Sequence, residues 1–355
     1  MNTRDLLENT AARSASYLAS MDRRAVASTS EAIARLKELE IPLPNHSTSP
    51  EQVLALLDEV GSPATSATAG SRYFGFVIGG SLPAALAANW LAGAWDQNAG
   101  SSAISPVAGR LEEVALRWLL EIFGLPADCG GGFVTGGTMA NFTALAAARR
   151  AVLQRVGWDV DSQGLFGAPL ITVVVGDEVH PTLLKSLGLL GLGRDRVLRV
   201  PCDGQGRMRA DALPKLTLPC IVCMQAGNVN TGSFDPAADV ITQAHDAGAW
   251  VHVDGAFGLW AKAAPSLTNL VAGFEKADSW ATDAHKWLNV PYDCGIALVR
   301  DATALRQAMA VTAAYLPQED SRTPSYYTPE LSRRARCGSL GGTLFARAQR
   351  IGRID

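Results

Sequence analysis

The segment Trp250-Val251-His252-Val253-Asp254-Gly255-Ala256-Phe257-Gly258 indicates the kind of fold that this chain adopts. A mostly apolar run ends in a carboxylate, Asp254, and small residues follow it. This pattern is typical of a buried parallel strand whose carboxyl end opens towards a ligand, as in open α/β sheets. At such a place Asp254 could hold a metal ion, cap a helix or pair with a cationic ring nitrogen. A plain turn residue is the alternative.

Further short apolar runs have the same character, and helical patterns separate them. These predicted strands are 171–175, 197–200, 220–225, 279–282 and 295–299. A helix is predicted over Pro106–Phe123, where Gly124 stops it, and another begins with Asp235 as its N-cap. Apolar strands that alternate with helices predict an α/β fold with a mostly parallel sheet covered by helices on both faces.

The composition is that of a folded globular chain. Hydrophobic residues make up 48% of the 355 residues and charged residues 18%. The net charge of −3 gives neither the basic field that nucleic acids require nor a polybasic membrane patch. The longest apolar run, 82–95, is too short to cross a bilayer, and the N-terminus does not resemble a signal peptide. We therefore expect a cytoplasmic protein without nucleic-acid or membrane partners.

Six cysteines are scattered along the chain without the spacing of a disulfide framework. Cys220 and Cys223 have the spacing of a redox or zinc pair, but they lie in an apolar run that predicts a buried strand. No second pair stands at zinc-site spacing. We therefore expect both cysteines to belong to the core, and we expect no metal site.

A glycine-rich turn, Phe133-Val134-Thr135-Gly136-Gly137-Thr138-Met139-Ala140-Asn141, precedes a helical run that continues to Arg150. Small residues at a helix N-terminus expose backbone N–H groups and the positive end of the helix dipole, which suits a phosphate. The turn has neither the Gly-Lys-Ser/Thr of a Walker loop nor a G-x-G-x-x-G fingerprint. A helix start capped by Thr138, with no ligand, is the alternative.

Lys286 stands in a largely uncharged stretch, 278–288, between a histidine and a tryptophan. We expect it to be partly desolvated, which lowers the pKa of a lysine and favours imine formation. A surface lysine beside a core tryptophan is the alternative. His180 follows a strand and could stack on a ring or act as a general acid or base, although a lone histidine is often structural. His252 alternates with valines along its strand, and we expect it to pack.

A phosphate turn, a histidine, an aspartate and a lysine thus occur in that order, each at the end of a strand. Their order and local sequence resemble the group II decarboxylases that depend on pyridoxal 5′-phosphate (PLP). That family acts on aromatic amino acids, glutamate, histidine, cysteine sulfinate or diaminobutyrate. The matching motifs are Gly-Gly-Thr-x-Ala-Asn at 136–141, His-Val-Asp-Gly-Ala-Phe-Gly at 252–258 and Asp-Ala-His-Lys-Trp at 283–287. The resemblance runs from about Tyr73 to Arg336. It implies the fold type I large domain of aspartate-aminotransferase-like enzymes, with a seven-stranded sheet.

The resemblance also implies PLP as the cofactor and a role for each site residue. Lys286 binds PLP covalently as an imine, Asp254 pairs with the ring nitrogen, and His180 stacks on the ring. The other residues implied to contact the phosphate or the ring are Gly136, Gly137, Thr138, Ala256, Asn228, Asn230 and His285. Asp283 stands where some members have an asparagine near the phosphate. Because a second negative charge is unfavourable there, we expect its side chain to turn away.

The reaction implied is the decarboxylation of an L-amino acid to an amine and carbon dioxide, in a homodimer. Tyr326 or Tyr327 stands in the region that supplies a protonating tyrosine in the family, and we favour Tyr327. Arg333 or Arg334 could bind the substrate carboxylate. Another PLP reaction on the same fold, such as transamination or oxidative deamination, is an alternative. A PLP-binding remnant with little or no activity is another.

Three parts are predicted along the chain: an N-terminal helical segment at 1–70, a PLP-binding large domain at 71–336 and an aberrant tail at 337–355. The family continues past this point with an apolar helix and a small α+β domain, whereas the tail here is basic and rich in glycine. We interpret the tail as the product of a frameshift or a premature stop. Exposed apolar surface would then reduce stability and turnover. Sequencing the gene across codons 330–360 tests this interpretation.

Overall fold

The computed structural model describes residues 2–311, 322–338 and 341. The chain divides into two compact units, Met1–Gly80 and Ser81–Asp355. The three-part division predicted from the sequence stays a prediction. Most of the predicted aberrant tail, 337–355, lies outside the described residues.

The first unit is helical, as its sequence pattern predicts. Its α-helices are α1 (Thr3–Ser20), α2 (Ser30–Arg35) and α3 (Pro50–Leu56). A capping box begins α3, because the Ser49 side chain accepts a hydrogen bond from the backbone of Gln52 and the Gln52 side chain accepts one in return. Arg13 and Asp58 are joined by an ion pair of 2.8 Å.

The second unit alternates strands and helices. Its α-helices are α4 (Pro83–Trp95), α5 (Pro106–Phe123), α6 (Gly137–Arg155), α7 (Val160–Gln163), α8 (Pro181–Leu189), α9 (Ala237–Asp246) and α10 (Ala302–Met309). Its strands are β1 (Gly130–Val134), β2 (Thr172–Gly176), β3 (Leu198–Val200), β4 (Cys220–Gln225), β5 (Trp250–Asp254), β6 (Ser279–Asp283) and β7 (Gly295–Val299).

The seven strands form one sheet in the order β1-β7-β6-β5-β4-β2-β3. Strands β2 to β6 are parallel to their neighbours in this run, and only β7 is antiparallel to both β6 and β1. The predicted mostly parallel, seven-stranded α/β fold is therefore confirmed. Because β7 runs the other way, its first residue lies beside the last residue of β6. One edge of the sheet thus collects the carboxyl ends of β1, β2, β4, β5 and β6.

Apolar side chains fill both faces of the sheet. Alternate residues of β4 enter different clusters: Cys220, Val222 and Met224 pack on the side of α5 and α9, and Ile221 and Cys223 on the side of α6, α8 and α10. This period of two within a fully buried strand is what a sheet covered on both faces requires. The core assignment of Cys220 and Cys223 is confirmed, since both are buried and free.

Two sequence expectations about these elements are wrong in detail. The helix α9 begins at Ala237, and the carboxylate of Asp235 instead accepts backbone N–H groups from Met208 and Gln225, each at 2.7 Å. Strand β1 is absent from the strands predicted by pattern, because three of its five residues are glycines. Close packing explains one of them: a Cβ on Gly132 would lie 2.3 Å from the backbone oxygen of Tyr327.

Among the described residues, no helix combines the length and the apolar character that crossing a bilayer demands.

Candidate active site

A cavity of about 350 Å³ opens at the edge where the strands end. Its lining brings together residues that follow β1, β2, β4, β5 and β6. The lining residues are Thr135, Gly136, Gly137, Thr138, Met139, Asn141, His180, Thr182, Gln225, Gly227, Val229, Asp254, Ala256, Phe257, Asp283, His285 and Lys286. The volume lies within the range of small-molecule and cofactor sites. Eight of the ten site residues predicted from the sequence line this cavity, and Tyr327 and Asn230 do not.

Lys286 is held in a partly desolvated position at the cavity. Its side chain is 18% exposed, and its Nζ lies 3.6 Å from Oδ2 of Asp283. Nζ also lies 5.7 Å from the centroid of the Phe257 ring, within the range of a cation–π contact. The predicted partial burial of this lysine is therefore present.

Asp254 ends the central strand β5 and is almost fully buried. Its Oδ2 accepts a hydrogen bond from Nδ2 of Asn141 at 3.1 Å, and its Oδ1 accepts the backbone N–H of Ala256 at 3.2 Å. These two donors fix the carboxylate at the cavity wall. The small side chain of Ala256 lies beside it and leaves room for a flat group.

His180 is the N-cap of α8 and lines the cavity. Its Nδ1 accepts the backbone N–H of Thr182 at 3.3 Å and lies 2.7 Å from the Thr182 hydroxyl. Because Nδ1 accepts a backbone donor, it carries no proton, and Nε2 is the nitrogen left for a ligand. The capping contact fixes the start of α8 and the ring of His180 together.

The turn Gly136-Gly137-Thr138 forms the N-terminus of α6, a helix of 19 residues, at the cavity. The N-cap residue Gly136 provides no side-chain cap. Apart from the Gly137 N–H, which donates to Asp283, the first N–H groups of the helix and the positive end of its dipole are available to an anion. The predicted phosphate turn is thus a helix N-terminus that faces the same space as Lys286 and Asp254.

Asp283 is a correction to the sequence analysis, which expected its side chain to turn away. The carboxylate lines the cavity, and a Cβ on Gly137 would lie 2.9 Å from Oδ2. Burial raises the pKa of Asp283, while His285, Lys286 and a backbone hydrogen bond from Gly137 lower it. Its Oδ1 is buried without a hydrogen-bond partner among the described residues. A buried carboxylate therefore stands at the phosphate turn.

His285 lines the cavity next to this carboxylate. Its Nδ1 lies 3.1 Å from the backbone oxygen of Cys294, to which it donates, and 3.7 Å from Oδ1 of Asp283. Its ring lies 4.5 Å from the ring of Tyr292. The side chain is therefore held by its neighbours in a position that could support a phosphate.

The two asparagines predicted to contact the ring do not line the cavity. Asn228 is buried and stabilises its own loop, since its Oδ1 accepts the backbone N–H groups of Asn230 and Thr231 and its Nδ2 donates to Glu178. Asn230 is exposed. The cavity wall in this loop is formed by Gly227 and Val229 instead.

The predicted carboxylate-binding arginines have other partners. Arg333 is buried, pairs with the fully buried Glu112 and donates to the backbone oxygen of Phe133 at 2.9 Å. Arg322 pairs with the same Glu112 at 3.1 Å. Arg334 donates to the side chain of Asn89. These contacts attach the segment 322–338 to α5 and β1, and they leave neither Arg333 nor Arg334 at the cavity.

Tyr327 is also placed elsewhere. It lies in a one-turn helix, Pro324–Tyr327, with the Arg322 guanidinium 4.3 Å from its ring centroid. Neither Tyr327 nor Tyr326 lines the cavity within the described part of the chain. The geometry of a single chain therefore gives no support to a protonating role for Tyr327.

Sequence reasoning missed several residues of the site, above all Asn141 and Gln225. Asn141 stands in the quoted glycine-rich motif, but its contact with Asp254 joins positions 113 residues apart. Gln225 ends β4, directly beside Asp254 in the register of the sheet, which is a signal that strand-end position could have supplied. No cluster of metal-ligating side chains occurs within residues 2–311 and 322–338 or at 341.

Comparison with known proteins identifies relatives of this chain. Residues 35–338 match the family model of the pyridoxal-dependent decarboxylase conserved domain. An aromatic-L-amino-acid decarboxylase of Bacillus atrophaeus is 28% identical over 296 residues, which cover 79% of this chain and 58% of the relative. An L-2,4-diaminobutyrate decarboxylase of Rhizobium meliloti is 33% identical over 294 residues, covering 79% of this chain and 56% of the relative.

The fold is shared with solved structures. Mouse CSAD in its apo form superposes with a TM-score of 0.89 at 25% identity, covering 99% of this chain and 75% of the mouse chain. The chain spans 58% and 56% of the length of the two curated relatives named above. The family match and the strand-end cavity lead to one conclusion: the chain belongs to the family of pyridoxal-dependent decarboxylases.

Proposed function

We propose that this chain binds PLP at the cavity and decarboxylates an L-amino acid to its amine and carbon dioxide. One observation carries the proposal: Lys286, Asp254, His180 and the uncapped N-terminus of α6 surround a single cavity. Membership of the pyridoxal-dependent decarboxylase family supports the same reading.

The residues present fit PLP. The N-terminus of α6 offers backbone donors for a phosphate, a primary amine is available at Lys286, and a fixed carboxylate is available at Asp254. Ala256, whose side chain is small, lines the same cavity. An aldehyde, a ring nitrogen and a phosphate on one flat molecule need this set of partners.

When bound, PLP supplies an electron-withdrawing ring that accepts the electron pair left as carbon dioxide departs. The residues of the cavity would position the cofactor and compensate its charges. Asp254 would hold a proton at the ring nitrogen, and Lys286 would provide the amine that holds the cofactor. His180, whose ring is fixed by Thr182, would support the cofactor ring. The buried surroundings strengthen each of these electrostatic contacts.

Two other functions stand as alternatives. A transaminase or an oxidative deaminase on the same fold would use the same cofactor contacts. A PLP-binding chain with little or no turnover would keep them without catalysis. Release of carbon dioxide separates the proposed reaction from keto-acid or aldehyde formation, and absence of any product supports the last alternative.

The substrate is proposed only as an L-amino acid. The relatives are named for aromatic amino acids in one case and L-2,4-diaminobutyrate in the other, which differ in both size and charge. The cavity lining combines Phe257 and Val229 with Gln225 and Thr182, a wall that accepts several side chains.

The test is a comparison of wild type with Lys286→Ala. We expect wild type incubated with PLP to show the absorbance of a covalently bound cofactor and to release carbon dioxide from one or more amino acids. Lys286→Ala should lose that absorbance and reduce carbon dioxide release by at least about a thousandfold, since the covalent nucleophile is gone. Lys185→Ala, which removes an exposed lysine of α8, is the control and should behave as wild type. Equal absorbance in both variants would contradict the proposal.

We further propose that the protein is a cytoplasmic homodimer. Helix α4 supports dimerisation, because three of its large apolar side chains, Trp90, Leu91 and Trp95, are about half exposed. A helix that presents several large apolar residues to solvent is a common mark of a protein interface. The cytoplasmic location rests on the sequence composition alone.

A further inference from the structure

Four buried side chains form a continuous hydrogen-bonded chain that begins at Asn141, which lines the cavity beside Asp254, and continues into the core. Nδ2 of Asn141 lies 3.1 Å from the Asp254 carboxylate, and Oδ1 of Asn141 lies 2.8 Å from Nε2 of His252. Nδ1 of His252 lies 2.9 Å from the Ser279 hydroxyl, which lies 2.9 Å from Nε1 of Trp250. The members come from α6, β5 and β6, so the core of the sheet fixes their spacing.

The direction of each hydrogen bond follows from the last member. An indole N–H can only donate, so the Ser279 oxygen accepts from Trp250, and the Ser279 hydroxyl proton is left for Nδ1 of His252. Burial lowers the pKa of His252 to about 3, so its imidazole is neutral and carries one ring proton. Because Nδ1 accepts, that proton is on Nε2.

The same direction continues to the carboxylate. Nε2–H of His252 donates to the amide oxygen of Asn141, which leaves the amide N–H of Asn141 to donate to Asp254. The reverse orientation of the amide would set its oxygen against the carboxylate and its N–H group against Nε2–H. Every donor in the chain therefore points towards Asp254. These donors fix the orientation of the carboxylate, and aligned hydrogen bonds strengthen one another.

We propose that Trp250, Ser279, His252 and Asn141 act as positioning residues that orient Asp254 as the acceptor for the ring nitrogen of the cofactor. The inference rests on the proposed function, since it assigns Asp254 to that nitrogen. It goes beyond the set of cavity residues, because Trp250, Ser279 and His252 do not line the cavity.

A purely structural role for these residues makes a different prediction. Buried polar groups need partners, and four of them could satisfy one another without affecting a ligand. Removing one would then lower the free energy of unfolding and leave the cofactor unchanged. A positioning role requires the protonation of the ring nitrogen to change as well.

The first measurement needs no cofactor. Nitrogen NMR of the purified protein, labelled with ¹⁵N at histidine, reports the tautomer of His252. We expect a neutral ring with its proton on Nε2 from pH 5 to pH 8, a range that lies above the pKa of this group, and the same tautomer in Thr143→Val. Thr143 is a matched control because it is fully buried on α6 and its hydroxyl donates to the backbone oxygen of Met139, which is not a member of the hydrogen-bonded chain. A proton on Nδ1, or a charged ring, would overturn the proposed direction.

The second measurement uses PLP labelled with ¹⁵N at the ring nitrogen. We expect a protonated ring nitrogen in wild type and in Thr143→Val, and a largely unprotonated one in His252→Leu. His252→Gln keeps an N–H donor near Nε2 and should restore most of the protonation. The affinity for PLP should fall roughly 10- to 100-fold in His252→Leu, the size of effect seen when a residue that orients a ligand is lost.

The outcomes separate the two proposals. If wild type fails to bind PLP through Lys286, the proposed function falls, whereas the tautomer measurement still decides the direction of the chain. If wild type binds PLP and His252→Leu keeps the ring nitrogen protonated, the positioning role is overturned. Ser279→Ala is the milder variant if His252→Leu does not fold. It removes the donor to Nδ1 and should shift the tautomer of His252 and weaken PLP binding, and unchanged values of both would count against the proposal.

Discussion

At the scale of single residues, the carboxylate of Asp283 is the least expected feature of the site. It stands at the N-terminus of α6, where the phosphate of the cofactor is proposed to bind, and it lies close to Lys286 and His285. The dipole of a helix stabilises an anion at its N-terminus, and Asp283 already places a carboxylate there. When this carboxylate is charged, it repels a phosphate that binds at the same place.

The consequence is a dependence of phosphate binding on pH. Burial raises the pKa of Asp283, so the folded protein holds a proton there at a higher pH than a free aspartate does. A nearby phosphate raises it further, which links binding to proton uptake. We expect the affinity for PLP to be highest below the pKa of Asp283 and to fall as the pH rises through it. His285 and Lys286 lower the pKa of Asp283, and Asp254 raises it.

Asp283→Asn isolates the contribution of this carboxylate. The variant should bind PLP more tightly than wild type at pH 8, because it removes a negative charge from the place where the phosphate is proposed to bind. Its affinity should also change less between pH 5 and 8. Equilibrium dialysis or fluorescence titration at several pH values measures both. Identical pH profiles for the two proteins would contradict the expectation.

The residue scale also shows what the sequence could supply. Lys286, Asp254, His180 and His285 were predicted from motifs, and the structure brings all four to one cavity. The orientation of Asp283 was predicted wrongly, because an argument from charge repulsion does not include the backbone donor at Gly137. The contact of Asn141 with Asp254 depends on how α6 crosses the sheet, which no local pattern states.

At the scale of elements, the close approach of β7 to the phosphate turn is the main constraint on the site. Gly295 begins β7, and it pairs with Asp283 on one side and Val134 on the other. A Cβ at this position would lie 2.5 Å from the backbone of Gly136. The turn that starts α6 therefore rests directly on the first residue of β7, and only a glycine leaves it in place.

Gly295→Ala tests this contact. The added methyl group should displace the turn at Gly136, lower the free energy of unfolding by about 1–3 kcal/mol and weaken PLP binding at least tenfold. Denaturant unfolding and cofactor titration measure the two effects. Gly188→Ala in α8 has no heavy atom within 4 Å of the new Cβ, so it should be neutral or slightly stabilising. Unchanged affinity in Gly295→Ala would show that the turn adjusts freely.

Helices and strands could be predicted from the sequence where their residues have the propensities and end signals typical of that element. Helix α5 has the predicted bounds because Pro106 begins it and Gly124, at φ 63°, ends it. Strand β1 could not be recognised by propensity, because its glycines are required by close contacts that form only in the folded chain. Asp235 has the sequence position of a helix cap, but its carboxylate accepts hydrogen bonds from the backbone N–H groups of Met208 and Gln225 instead.

At the scale of the whole molecule, the exposed apolar side of α4 carries the prediction of a dimer. Leu91 is 54% exposed on this helix, and two tryptophans of the same helix are each 46% exposed. Burying these side chains against a second copy would contribute about 25 cal/mol per Å² of apolar surface. We expect wild type to sediment as a dimer.

Leu91→Glu should shift the protein towards a monomer, because a charge in an apolar interface lacks a partner. Analytical ultracentrifugation at several concentrations measures the shift. Leu170→Glu changes a more exposed leucine, at 70%, outside α4 and should leave the dimer intact. A wild type that is monomeric at all concentrations, or a Leu91→Glu dimer of unchanged affinity, would contradict the prediction.

The reactivity of the buried cysteines of β4 reports how often the centre of the sheet becomes accessible to solvent. Cys220 and Cys223 are shielded, and burial raises the pKa of both thiols, that of Cys220 to about 11. Since only the thiolate reacts quickly, both are inert while the sheet is closed. The rate at which a thiol reagent consumes them therefore measures how often the centre of the sheet opens. Ligands and substitutions can be ranked by that rate without an assay of turnover.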